Sequence, residues 1–103
     1  MIATGWSNGS PKGTGSGYGL RVRRQDRDNY FDREWSFMTI ELPEGEWVTI
    51  PLSDSFWRKC TELRSSQVGR WMLDRGLAPW PKRNPPRFAL EAVCNGRFRL
   101  SML

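Results

Sequence analysis

Residues 35–50 read WSFMTIELPEGEWVTI, and few folds accommodate them. Met38, Ile40 and Leu42 fall at every second position, and Val48 and Ile50 resume the pattern after Pro43-Glu44-Gly45. Apolar side chains at a period of two make one buried face of a strand. Proline presets the first turn position and glycine accepts a left-handed one, so the connection is a three-residue hairpin loop. Strands are therefore expected over about 35–42 and 46–52, with Leu42 opposite Glu46, Ile40 opposite Val48 and Met38 opposite Ile50. A slip of one residue would turn the whole apolar set to water. The same alternation sends Trp35, Phe37 and Trp47 to the other face, where large rings suit a contact surface.

Other stretches repeat the pattern. Tyr18, Leu20 and Val22 alternate with Gly19, Arg21 and Arg23, which predicts a strand with a basic outer face. Phe88, Leu90, Ala92 and Cys94, then Phe98, Leu100 and Met102, flank the turn pair Asn95-Gly96. A strict two-residue loop would pair Cys94 with Arg97 and split the two apolar sets between faces. Burial should win, with Arg97 drawn into the loop or a bulge. Between the hairpins, Ser53 or Asp54 caps a helix bearing Phe56, Trp57, Cys60 and Leu63 on its apolar side. A break follows near Arg64; Ser65 caps a second stretch carrying Val68, Trp71 and Met72, and Gly76 ends it. Cys60 is expected to pack against the core.

The charged segment QDRDNYFDRE at 25–34 predicts a short helical turn begun by Asp26 or Asp28. Residues 77–86 hold Pro79, Pro81, Pro85 and Pro86 and must run extended, with Trp80 pinned beneath and Lys82, Arg83 and Arg87 outward. Residues 4–17, TGWSNGSPKGTGSG, read as loose or turned backbone, with Trp6 folding back onto the rest. The expected organisation is a glycine/serine-rich arm over 1–17 and a single α+β domain over 18–103.

The resulting order, β-β-β-α-β-β, resembles the oligonucleotide/oligosaccharide-binding (OB) barrel in topology over roughly residues 17–102. The expected fold is thus a small five-stranded antiparallel, OB-like, partly open barrel, with a broken helical region between its third and fourth strands. The resemblance implies a ligand lying across the second and third strands, where Trp35, Phe37 and Trp47 sit.

Charge points the same way. Lys and Arg number 16 against 11 Asp and Glu, for a net charge of +5. Residues 1–24 carry Lys12, Arg21, Arg23 and Arg24 and no acid, residues 25–55 are acidic, and residues 56–103 are basic again. Arginine dominates lysine, and its fork suits phosphate. A basic face with aromatics between the charges is a nucleic-acid surface. Backbone contacts are assigned to Arg21, Arg23, Arg58, Lys59, Arg64, Lys82, Arg83 and Arg87, and stacking to Trp35, Phe37 and Trp47. Residues 63–72 also resemble the recognition helix of a helix-turn-helix, with Gln67 and Arg70 as base readers. Glu41, Glu44 and Glu46 crowd the first hairpin and oppose a phosphate backbone there.

Several chemistries are excluded. The chain has no histidine, and its two cysteines form no CxxC pair, so no zinc site is expected. Asp26, Asp28, Asp32 and Glu34 interleave with Arg27 and Arg33, which neutralise them as metal ligands. The run GTGSGYG at 13–19 lacks the Gly-Lys-Ser/Thr of a phosphate loop. No acid pair sits with a lysine as a nuclease would need. No signal-peptide core and no membrane-length apolar run occurs, so a cytoplasmic location is expected. The reading is a non-catalytic binding module without cofactor or metal, its partner a nucleic acid, DNA or RNA. The alternative is a protein–protein or small-ligand module.

Overall fold

A computed structural model describes residues 1–103. The elements in chain order are β1 (Ile2–Ser7), β2 (Tyr18–Arg21), α1 (Arg24–Tyr30), β3 (Phe37–Glu41), β4 (Trp47–Pro51), α2 (Asp54–Arg58), β5 (Glu62–Arg64), α3 (Ser66–Asp74), β6 (Arg87–Cys94) and β7 (Arg97–Met102). The class is α+β. All strands join one seven-stranded sheet in the order β4-β3-β7-β6-β1-β2-β5, and every pair is antiparallel except β3 with β7. The sheet coils until its edges β4 and β5 come within 8 Å, but they do not pair, so it stays open.

Each strand sends alternate residues to one shared core. Leu20, Met38, Ile40, Ile50, Leu63, Phe88, Leu90, Phe98 and Leu100 are almost fully enclosed. The first hairpin has the anticipated register, with Met38 opposite Ile50 and Ile40 opposite Val48, and Gly45 takes φ 96° in its turn. Phe31, from the segment after α1, stacks on Phe98 at 4.8 Å and meets Phe56 of α2 at 5.1 Å. These two short helices therefore cover one end of the core. Ser65 caps α3 by accepting a 3.2 Å bond from the Val68 amide, and α3 buries Val68, Trp71 and Met72.

Four expectations change. The five-stranded antiparallel OB-like barrel is replaced by an open, mixed sheet of seven strands. One extra strand is β1, where loose backbone was expected. Its inward side chains, Ala3 and Gly5, are too small to betray a buried face; Trp80 and Pro86 fill the space beside Gly5. The second is β5, which separates α2 from α3 and pairs with β2, so no helix-turn-helix exists. The helical turn at 25–34 begins earlier, at Arg24. In the second hairpin Cys94 does pair with Arg97, but a register shift between Ala92 and Cys94 brings Ala92 opposite Phe98 and Leu90 opposite Leu100. Burial prevails as expected, with the irregularity on β6 and not at Arg97.

The glycine-rich connection from β1 to β2 is tied down. Asn8 N–H donates to the Gly17 carbonyl at 2.9 Å, and Lys12 N–H to Ser16 at 2.8 Å. Gly15 is buried against α3 at Gly69, where a Cβ would run into the Gly15 carbonyl and lie 2.6 Å from Tyr18 Cβ. Gly69→Ala should therefore lift α3 off β2 and lower stability by about 1–3 kcal/mol, as overpacking of a tight contact does, measured by urea denaturation.

Candidate functional site

The outer face of the sheet carries the side chains that the core rejects. In one row across four strands, Arg87 of β6 lies beside Thr4 of β1, Thr4 beside Arg21 of β2, and Arg21 beside Glu62 of β5. Chain segments rising from the sheet add Arg23 and Arg24 before and at the start of α1, and Lys59, Cys60 and Thr61 before β5. Together they enclose an open cleft of about 650 Å³. Ile2, Thr4 and Val22 also line it.

Five cations and one carboxylate line this cleft. Glu62, with a side chain only 4% exposed, is already engaged twice: its Oε2 accepts from Arg21 Nη2 at 3.1 Å and its Oε1 from Arg64 Nη2 at 3.3 Å. Arg23 bonds Asp26 at 3.2 Å. Arg24, Lys59 and Arg87 have no carboxylate within 4 Å. Their charge is free to meet a ligand, and the concave wall concentrates it.

Four of the thirteen expected contacts, Arg21, Arg23, Lys59 and Arg87, thus meet in one place. Arg24 completes the group; its position next to Arg21 and Arg23 in a basic run was the available signal. The remaining expected residues lie elsewhere. Arg58, Lys82 and Arg83 are exposed and apart from the cleft. Gln67 and Arg70 line a different hollow with Glu44, Glu46, Asp74 and Arg75, and Arg70 pairs with Asp74 at 3.3 Å. On that face of α3 the arginines are engaged by acids, unlike those of a base-reading helix. Trp71 Nε1 donates to Glu44 at 2.5 Å, and Arg75 also pairs with Glu44, which ties the first hairpin turn to α3.

The aromatic trio divides. Phe37 and Trp47 remain on the outer face, 55% and 50% exposed, and the Arg97 guanidinium lies 5.7 Å from the Trp47 ring. Trp35 precedes β3 and turns inward, with Phe31 and Phe98 at 6.2 and 6.3 Å. Beside Trp47, Glu41 binds Arg99 at 2.9 Å; that hydrogen bond and the charge of Glu41, with Glu91 adding, hold the Arg99 guanidinium above its ordinary pKa. Neither Phe37 nor Trp47 reaches the cationic cleft.

No family model, curated protein or solved structure matches this chain. No helix is long and apolar enough to cross a membrane.

Cys60 corrects another expectation. Helix α2 ends at Arg58, so Cys60 stands beyond it at the cleft wall, and both cysteines are exposed and unpaired. Titration of the folded protein with a maleimide should accordingly modify two thiols per chain without denaturant; a single modification, mapped by mass spectrometry to Cys94, would mean that Cys60 is packed.

Proposed function

We propose that the protein is a non-catalytic binding module whose ligand is a nucleic acid, held by its phosphates in the cationic cleft. One observation carries the reading: Arg24, Lys59 and Arg87, three cations without carboxylate partners, converge with Arg21 and Arg23 around a carboxylate that is already neutralised. Isolated surface cations would merely aid solubility. Cations gathered in a concavity from β2, β6 and the segments before α1 and β5 suit a multivalent anion, and arginine forks suit phosphate oxygens. The coiled sheet is used in this reading as a partly open barrel is, offering the ligand its outer face. The free thiols Cys60 and Cys94 support action in the cytoplasm, where cysteines stay reduced.

A second reading has its own observation. Phe37 and Trp47 are half exposed on the edge hairpin with Arg97 beside them, and aromatic–arginine clusters anchor protein partners. The two readings differ in their response to salt. Phosphate contacts release counterions, so each contact contributes about −0.7 (single strand) to −0.9 (duplex) to the slope of log affinity against log salt. Fluorescence anisotropy with labelled oligonucleotides at several salt concentrations is the test. The combined change Arg24→Glu and Arg87→Glu should abolish measurable binding, while Phe37→Ala with Trp47→Ala should leave it within about twofold. Binding that ignores salt and the charge reversals, but falls with the aromatic pair, would transfer the function to a protein partner.

A further inference from the structure

An arginine–indole pair adjoins the cleft, and its ring comes from outside the expected aromatic trio. Trp6 follows Thr4 by two positions on β1, so both side chains lie on the outer face, about 7 Å apart. Across the sheet, Trp6 is opposite Gly19 and Gly19 is opposite Arg64. Gly19 has no side chain to stand between them, and the Arg64 guanidinium sits 5.0 Å from the Trp6 ring centroid. The other end of that guanidinium is held by Glu62 Oε1 at 3.3 Å, while Glu62 Oε2 holds Arg21 in the cleft. One enclosed carboxylate therefore holds two guanidinium groups, one among the cations of the cleft and one against an indole. The Arg64 side chain remains 66% exposed. Beyond it lies a polar hollow of about 270 Å³ that includes Asn8, Ser65 and Ser66.

We propose that the ligand is a single-stranded nucleic acid, whose backbone enters the cationic cleft and whose next base stacks on the Arg64–Trp6 pair. This rests on the cleft being a phosphate site. Bases stack on arginine planes and aromatic rings only when their faces are free, as in an unpaired strand. A duplex would hide those faces. It would also look for an element to enter its major groove, and on the exposed face of α3 Arg70 and Arg75 are already engaged by Asp74 and Glu44, with Glu46 beside them.

The test compares a short oligothymidylate, an abasic strand of equal length and a duplex, binding the full chain by anisotropy. Trp6→Ala should weaken the oligothymidylate about 5- to 150-fold and leave the abasic strand within about twofold; Arg64→Gln, which also removes a charge beside Glu62, should weaken both strands and the oligothymidylate more. Trp6→Phe, which keeps a ring, should recover most of the loss and guards against a folding defect, which circular dichroism checks in parallel. The parent protein should favour oligothymidylate over both duplex and abasic strand. Equal losses for the oligothymidylate and the abasic strand, no loss at all, or tighter duplex binding would overturn the platform. If Arg24→Glu with Arg87→Glu abolishes binding while Trp6→Ala changes nothing, the phosphate cleft survives and only the platform fails. If neither changes binding, both readings fail.

Discussion

Every strand in this protein turns one face to a shared core, and that constraint organises the whole molecule. Because successive side chains leave a strand on opposite sides, enclosing Leu20, Leu63, Phe88 and Leu90 obliges Arg21, Glu62, Arg64 and Arg87 to stand outside. The sheet coils around a single core, and what the core refuses becomes the outer wall. The cleft needs no machinery beyond this alternation, applied to four adjacent strands and supplemented by the segments at Arg23–Arg24 and Lys59–Thr61.

Electrostatics then determines which part of that wall can meet a ligand. Much of the surface charge is satisfied internally: Glu44 by Trp71 and Arg75, Glu41 by Arg99, Asp74 by Arg70. Exposed pairs of this kind contribute little to stability, about 0–1 kcal/mol each, but they cancel charge where they stand. The cleft differs because its one carboxylate is outnumbered. Glu62 acts there as an orienting group, and the cations without acids around it set the sign of the site.

The sequence disclosed these features unevenly. The first hairpin was legible down to its residue pairs, because large apolar side chains alternate without interruption and the turn chemistry is explicit. Ser65 as a cap and the irregular second hairpin were legible for the same reason: a local rule met a burial requirement with one good solution. Strand β1 was hidden because Ala3 and Gly5 face the core, and their neighbourhood is filled from afar by Trp80 and Pro86. Strand β5 was hidden because three residues are too few to show a period. With those two strands missing, Trp6 had no sheet to stand on. Trp35 leaves the outer face because it lies just before β3, where alternation no longer dictates direction. Convergence of Arg21 and Arg87 with Lys59 is a long-range property and has no local signature.

The parallel pairing of β3 with β7 has a consequence for synthesis. On one side of the sheet stand β3 and β4, on the other β1, β2 and β5, and hydrogen bonds link the two groups only through β6 and β7. A ribosome makes residues 87–102 after all five of those strands. While they are still inside its exit tunnel, the nascent chain carries two separate sheet fragments with unpaired inner edges, and such edges are sticky. Continuity of the sheet is thus sealed by the strand pair that is translated last among its elements.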